Sequence, residues 1–202
     1  SIAPYLLVTH PSVAARNVPE LIALAKSQPG KLDYASSGEG SPSQLAMELM
    51  KSMAGVKIVH VPYKGSGPAL VDLMGGQTQC IFDQVSTSAP LVNTGRLRAI
   101  AVASSKRSPL MKEVPTMEEA GVRNFEAATY TGVFLPVATP RDIVSRVTSA
   151  VLKTLDMPST RDAFTRLGAE VIKSTPEELS KRLAADLARW KKVQQQTGIR
   201  LD

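Results

Sequence analysis

The residues best suited to chemistry lie at a junction between a predicted strand and a predicted helix, in residues 34–44 (YASSGEGSPSQ). Gly38 and Gly40 let the backbone approach a ligand because they have no Cβ. Ser36, Ser37, Ser41 and Ser43 add hydroxyl donors. The first N–H groups of a helix carry roughly half a positive charge, so a carboxylate or phosphate fits this place. A plain capped helix after a tight turn is the alternative, and the segment alone favours neither.

Two further junctions of the same kind follow along the chain. Residues 61–68 bring Gly65 and Ser66 to the start of a helix, with Lys64 beside the turn, and residues 82–88 do the same with Asp83 and three hydroxyls. In a parallel sheet all three junctions lie at the carboxyl ends of the strands, where ligands bind. Exposure of Lys64 to solvent and capping of the next helix by Asp83 are the alternatives to ligand contact.

Catalytic and cofactor motifs are mostly absent from the sequence. It lacks a G-x-S-x-G elbow, a phosphate-binding G-x-x-x-x-G-K-[ST] loop and an H-E-x-x-H metal motif, and Ser43 stands where the third glycine of a dinucleotide fingerprint would be. Cys80, in an apolar run, is predicted to be a core residue. We therefore expect no metal, no cofactor and no enzymatic activity. An enzyme on a similar scaffold would be favoured by a serine or cysteine within hydrogen-bond reach of His10 or His60.

Charge and composition point away from nucleic acid. The 24 Lys and Arg residues against 18 Asp and Glu give a net charge of +6, but the basic residues are scattered and aromatic residues make up only 4% of the chain. Such a sequence offers too few aromatic side chains for stacking on bases. No apolar run approaches the 18 or so residues that a membrane helix requires.

The order of elements predicts an α/β fold. Short β-branched runs alternate with amphipathic helices, which favours a mostly parallel sheet covered on both faces. Helix starts are predicted at the capping residues Asn17, Ser41, Thr139 and Thr175. Residues 10–125 contain enough elements for a complete domain. Residues 126–202 offer three helices but only two strands (127–135 and 169–172), so either a strand at residues 5–9 joins them, sheet is missing upstream, or another chain supplies it.

Nine segments together resemble one protein family. They are PELIALAK (19–26), PGKLDYAS (29–36), GEGS (38–41), VHVPYKG (59–65), LVDLMGGQ (70–77), GRLRAIAV (95–102), KRSP (106–109), VPTMEEAG (114–121) and STPEE (174–178). In this combination and order, the chain resembles the tripartite tricarboxylate transporter receptors, also called the Bug family of periplasmic solute-binding proteins.

The resemblance implies a type II periplasmic binding protein-like α/β fold, with two Rossmann-like domains joined at a hinge. Residues 10–125 would form the second domain, and residues 1–9 and 126–202 would form the C-terminal part of the first. Family members carry a further stretch before the point that corresponds to Ser1, with a signal peptide, a strand and a Gly-rich loop that holds one ligand carboxylate. The resemblance therefore implies that the first domain is incomplete here.

The resemblance also implies a function and a site. The protein would capture a small carboxylate in the periplasm and deliver it to the membrane subunits of a tripartite transporter. It could also form a homo-oligomer through the incomplete first domain. The ligand-binding residues carried over by position are Ser37, Gly38, Gly40, Ser41, Ser43, Gly65, Ser66, Asp83, Thr129 and Tyr130. Hinge packing is the alternative role for Tyr130, and a truncated or stand-alone ligand-sensing module is the alternative function.

Overall fold

The computed structural model describes residues 1–199, so residues 200–202 of the predicted first-domain segment lie outside the described residues. Six strands and seven helices alternate for most of the described chain. In order they are β1 (Ile2–Thr9), α1 (Val18–Ser27), β2 (Asp33–Ser36), α2 (Pro42–Ala54), β3 (Val59–Pro62), α3 (Ser66–Met74), β4 (Cys80–Gln84), α4 (Val85–Asn93), β5 (Arg98–Val102), β6 (Ala128–Tyr130), α5 (Arg141–Asp156), α6 (Pro158–Arg166) and α7 (Pro176–Thr197).

Five strands form the main sheet in the order β3-β2-β4-β1-β5. Strands β3, β2 and β4 are parallel, whereas β1 runs antiparallel to both β4 and β5. Four strands therefore share one direction, and their carboxyl ends lie at the same edge of the sheet, which we call the carboxyl edge. The strand at residues 5–9, placed with the first domain by its sequence, pairs with β4 and β5 within this sheet.

Helices cover both faces of this sheet because its interior strand β1 is apolar on both sides. Leu6, Leu7 and Val8 of β1 are fully buried. Leu7 belongs to the core under α1 and α2, whereas Leu6 and Val8 belong to the core under α3 and α4. A continuous apolar run of this kind is typical of strands buried on both faces.

The remaining part of the chain has little sheet of its own. Strand β6 is three residues long, shorter than the strand predicted at residues 127–135, and it pairs with Ile2–Pro4, the beginning of β1. The strand predicted at residues 169–172 is reduced to a single bridge between Ile2 and Glu170. No side chain of α5 or α6 is buried. The shortage of strands in this part is therefore a feature of the described structure.

Two connections join this part to the main sheet. One is β1, which pairs with β6 through its first half and with β4 and β5 through its second half. The other is the end of α7, where Val193 is buried and Trp190 packs against the core under α1 and α2. β1 contributes to both parts, and the two-domain division stays a prediction.

Capping side chains account for three of the four predicted helix starts. The side chains of Asn17, Ser41 and Thr175 each accept a hydrogen bond from the third residue of their helix. Thr139 was wrongly predicted to be a cap: α5 begins after Pro140 and has no side-chain cap. Within residues 1–199, none of the helices combines the length and the apolar character that crossing a membrane would need.

Arg98 holds the segment between β1 and α1 against β5. Its guanidinium donates hydrogen bonds to the carbonyl oxygens of Pro11, Val13 and Ala15, at 2.8, 2.9 and 3.1 Å. Val13 and Ala15 are themselves buried, so these carbonyl groups have little access to water. The charged side chain therefore replaces the backbone pairing that this irregular segment lacks.

We expect Arg98→Met to lower the free energy of unfolding by about 2 kcal/mol, because hydrogen bonds from a charged donor are strong and their loss leaves poorly solvated acceptors. Urea denaturation measures this loss. Arg96→Met is the matched control, because Arg96 is exposed and makes no side-chain hydrogen bond in the described structure. Equal stability of the two variants would contradict a structural role for Arg98.

Candidate functional site

The loop of residues 37–41 lies at the carboxyl edge, between β2 and α2. Gly38 and Gly40 have φ values of +141° and +66°, in the range that favours glycine. A Cβ atom on Gly38 would lie 3.2 Å from the carbonyl oxygen of Tyr63, which follows β3. The glycine pattern is therefore required both by backbone conformation and by close approach of the neighbouring chain.

Some N–H groups of this loop donate hydrogen bonds within the protein, and others have no acceptor. Those of Gly38 and Gly40 donate to the side chains of Ser36 and Gln44, at 3.2 and 2.6 Å. The N–H of Ser41 donates to the Gly38 carbonyl oxygen at 3.3 Å. Among residues 1–199 the N–H groups at positions 37, 39 and 43 have no hydrogen-bond acceptor. Part of the loop is thus held internally, and three N–H groups, two in the loop and one in the first turn of α2, have no acceptor among the described residues.

The second junction is tied directly to the first. The N–H of Gly65 donates to the Ser37 carbonyl oxygen at 3.0 Å, and the N–H of Tyr63 donates to the Ser36 carbonyl oxygen at 3.1 Å. Gly65 has a φ of +106°, and Ser66 begins α3 beside it. The structure therefore brings Ser37, Gly38, Gly65 and Ser66 together, as their positions after parallel strands predicted. Lys64 is exposed and has no ion-pair partner in the described chain.

Ser43 and Asp83 use their side chains within the protein. The Ser43 hydroxyl is buried and donates to the Phe82 carbonyl oxygen at 2.6 Å, so its hydrogen is not available to a ligand. Asp83 is also buried, and its Oδ2 accepts hydrogen bonds from the hydroxyls of Thr87 and Ser88. These contacts bind Asp83 to side chains of α4 but do not cap that helix, which begins after Gln84 and has no side-chain cap. At Ser43 the backbone N–H has no acceptor among residues 1–199, whereas the predicted hydroxyl is used within the protein.

Thr129 and Tyr130 lie beyond the same edge of the sheet. Tyr5 of β1 is opposite Gln84 at the end of β4, so the earlier residues of β1 extend past the carboxyl edge, where Ala3 pairs with Thr129. The Thr129 hydroxyl donates to the Ala3 carbonyl oxygen at 3.3 Å. The guanidinium of Arg182 lies 5.7 Å from the centre of the Tyr130 ring. Both residues are partly exposed and lie beyond the edge of the sheet that carries the loops.

Three residues outside the predicted ligand set support the loop. Ser36 Oγ lies 2.6 Å from His60 Nε2, and Gln44 Nε2 lies 3.0 Å from His60 Nδ1. Gln44 stands three residues after the predicted cap Ser41, at the position that the glutamine of a capping box occupies. Only half of that box forms, because the Gln44 side chain binds the N–H of Gly40 instead of the N–H of Ser41. No sequence pattern relates His60 to Ser36, which lies 24 residues earlier.

Serine lies within hydrogen-bond reach of both histidines, the feature that would favour an enzyme. At His60, however, the orientation of Gln44 decides the proton positions. The Gln44 oxygen faces the N–H of Gly40, so its NH₂ group faces Nδ1, which must accept. The neutral ring then carries its hydrogen on Nε2 and donates it to Ser36. A histidine that donates to a serine cannot remove its proton, and Ser36 is fully buried.

His10 has no place at this edge. Its Nδ1 lies 2.6 Å from Ser12 Oγ and accepts from the N–H of Ser12 at 3.2 Å, which is a local turn contact. His10 follows the end of β1 and pairs with Gln79 before the start of β4, at the opposite edge of the sheet. Cys80 lies in the core, where burial raises the pKa of its thiol to about 12. Neither group is poised for nucleophilic chemistry.

Two clefts flank the site. The larger, of about 850 Å³, lies beside residues 104–109 and 168–173 and contains none of the predicted ligand residues. Most of its cations already have partners, since Arg161 and Lys173 pair with Asp156 and Arg107 pairs with Glu119. The smaller, of about 590 Å³, lies between the start of α2 and the end of α7, and Glu39 and Gln44 line it. Only the smaller cleft borders the loop.

Comparisons with known proteins agree with this architecture. A family model described as the tripartite tricarboxylate transporter family receptor matches residues 1–199. The chain is similar to protein BugT of Bordetella pertussis, with 34% identity over 98% of the chain and 61% of BugT. It therefore spans about three fifths of the length of this curated relative.

Two solved structures are similar over nearly the whole chain. One is Rpa4515 of R. palustris with adipate, with a TM-score of 0.88 and 37% identity, covering 98% of this chain and 67% of that protein. The other is MatC of Rhodopseudomonas palustris with bound malate, with a TM-score of 0.80 and 31% identity, covering 95% and 66%. The fold is therefore that of periplasmic binding proteins.

We expect Ser43→Ala to lower the free energy of unfolding by about 1 kcal/mol, because the buried Phe82 carbonyl oxygen loses its donor. Chemical denaturation gives the value, with Ser52→Ala as the control at an exposed position of the same helix. A Ser43→Ala variant as stable as the control would show that this hydroxyl does not fix α2 against β4.

Proposed function

Because the chain belongs to the tripartite tricarboxylate transporter receptor family, we propose that it binds a small carboxylate at the carboxyl edge of its main sheet. The observation that carries this proposal is the set of three N–H groups without acceptors at positions 37, 39 and 43. Ser43 lies in the first turn of α2, where unpaired N–H groups and the helix dipole favour a negative charge, and residues 37 and 39 lie in the loop just before it. The adipate and malate of the two similar structures are ligands of this chemical class.

The donors around the loop are neutral. Among the predicted ligand residues there, the N–H groups of Ser37 and Ser43 and the hydroxyls of Ser37, Ser41 and Ser66 donate to no described residue, and none of these groups is charged. A carboxylate held by neutral donors keeps its charge, and its release does not leave a buried cation unpaired. This suits a protein that must bind its ligand and then release it. Thr129 and Tyr130 would approach the ligand from β6.

The finer parts of the proposal concern the whole protein. We propose that residues 10–125 form one domain, that the β1–β6 crossing and α7 form the hinge, and that hinge closure traps the ligand. Delivery to the membrane subunits of a tripartite transporter, from the periplasm, follows from family membership. Association of two chains through the incomplete first domain stays a prediction.

We expect adipate to raise the melting temperature of the chain by a few degrees at millimolar concentration, because a ligand that binds only the folded state stabilises it by mass action. A thermal-shift screen of C4–C8 dicarboxylates measures this. Adipamide is the matched control, since it has the same length but no charge. The carboxylate assignment would be abandoned if none of the acids shifted the transition, or if adipamide did so equally.

We expect Gly38→Ala to weaken acid binding at least about tenfold, because alanine is strained at a φ of +141° and its Cβ would press on the Tyr63 carbonyl oxygen at 3.2 Å. Calorimetric titration with the acid that gives the largest thermal shift measures the dissociation constant. Gly30→Ala is the matched control, because Gly30 has a φ of +72° but open space around it. Unchanged affinity in Gly38→Ala would place the ligand elsewhere.

A further inference from the structure

A continuous chain of hydrogen bonds lies beneath the loop of residues 37–41, which we call the carboxylate loop. It begins at the N–H of Gly40, which donates to Gln44 Oε1 at 2.6 Å, and passes from Gln44 Nε2 to His60 Nδ1 at 3.0 Å. From His60 Nε2 it reaches Ser36 Oγ at 2.6 Å, and Ser36 donates to the carbonyl oxygen of Gly38 at 3.0 Å. Both ends of the chain are backbone groups of the loop, so these three side chains set its shape.

Every member of this chain has a single possible role. The backbone N–H at one end can only donate and the carbonyl oxygen at the other end can only accept, so all intervening hydrogens point the same way. Gln44 must therefore present its oxygen to Gly40 and its NH₂ group to His60. The arrangement holds only while the His60 ring is neutral, with its hydrogen on Nε2.

A proton on His60 would put two donors face to face. The new hydrogen on Nδ1 would meet the NH₂ group of Gln44, and a buried donor left without an acceptor is costly. The nearest other acceptor is the Glu39 carboxylate, whose Oε1 lies 3.6 Å from Nδ1 and whose Oε2 already accepts from Gln44 at 3.2 Å. If the protonated ring binds Glu39, Gln44 is displaced and the N–H of Gly40 loses its partner.

Groups from the loop, from α2 and from β2 surround the ring. Glu39 belongs to the loop, Glu48 and Lys51 belong to α2, and the Tyr34 ring of β2 stacks on His60 with the ring centres 4.8 Å apart. Burial lowers the pKa of His60 from its ordinary value of 6.5, the Glu39 and Glu48 carboxylates raise it, and Lys51 lowers it; the net direction is down. Thr197 at the end of α7 and the following Gly198 and Ile199 line the adjoining cleft and carry no side-chain charge.

We propose that Gln44 and His60 are positioning residues that couple carboxylate binding to pH, because the loop keeps its binding shape only above the neutral ring. This inference rests on the proposed function and adds a regulation to the same site. Acid binding is strongest when His60 is neutral and weakens as the ring gains a proton. By linkage, a bound acid lowers the proton affinity of the ring by the same factor by which the proton lowers the affinity for the acid.

The test compares dissociation constants for adipate at pH 8.0 and pH 5.5, measured by calorimetry at fixed ionic strength. We expect the wild-type protein to lose at least about fivefold more affinity than His60→Gln, the lower end of the range for coupled sites. Glutamine can take both roles of the neutral ring but does not titrate, so His60→Gln shows how much of the change comes from the acid itself. His10→Gln is the matched control at the other histidine and should behave as the wild type does.

A spectroscopic readout separates positioning from general stability. In the free protein, the amide resonance of Gly40 should follow the titration of the His60 ring, and it should lose this step in His60→Gln and in Gln44→Met. Added adipate should move the midpoint of the ring titration to lower pH. A variant that was merely less stable would shift its melting temperature without removing the step at Gly40.

The outcomes distinguish the inference from the function on which it rests. Adipate binding that weakens equally in wild-type protein and His60→Gln would overturn the inference alone, as would a ring that stays neutral down to pH 5.5. Absence of binding to any acid at pH 8.0 would overturn the proposed function and the inference with it. A loss of adipate affinity at pH 5.5 that occurs only in proteins that retain His60 and Gln44 supports both the inference and the proposed function.

Discussion

The structure depends on the position of β1 between β4 and β5 in the main sheet. This strand is antiparallel to its neighbours β4 and β5, and it continues past the carboxyl edge to pair with β6. Because one strand serves both parts of the chain, the loops after β2 and β3 and the residues of β6 are brought to one side of the sheet. A strand that links two parts through continuous backbone also provides a natural hinge.

The carboxylate loop combines two opposite requirements. A loop must be rigid to present its donors in one arrangement, and rigidity usually means that its N–H groups are already paired. Here the pairing comes from side chains below the loop, which hold Gly38 and Gly40 and leave neighbouring N–H groups free. The support is therefore spatially separate from the binding surface, so that a change in the support can alter binding without any contact with the ligand.

The Ser36–His60 pair shows why proximity alone does not define a catalytic site. The two side chains lie at a distance that would suit a nucleophile and its base, and Glu39 is near the other ring nitrogen. The direction of each hydrogen bond nevertheless follows from the fixed backbone groups at the two ends, and it points from the ring to the serine. A hydrogen-bond chain that begins and ends on backbone atoms holds a structure in place, whereas catalysis needs a proton that is free to move.

The sequence by itself determined the α/β class, the capped starts of α1, α2 and α7, and the glycine positions of the loop. These features depend on local preferences: capping hydroxyls, apolar periodicity and the backbone freedom of glycine act within a few residues. For the same reason the sequence placed Ser37, Gly38, Gly65 and Ser66 correctly at one edge, since a parallel strand followed by a helix defines that edge.

Only the tertiary structure decided the rest. The antiparallel insertion of β1 between β4 and β5, the use of the Ser43 hydroxyl by Phe82 and the link between His60 and Ser36 all join residues far apart in the chain. Such contacts depend on which surfaces meet after the chain has folded, and a hydroxyl or imidazole has the same local sequence signal whether it faces a ligand or a backbone carbonyl. The chemistry of the loop could therefore be predicted from its residues, but the residues that hold it in shape could not.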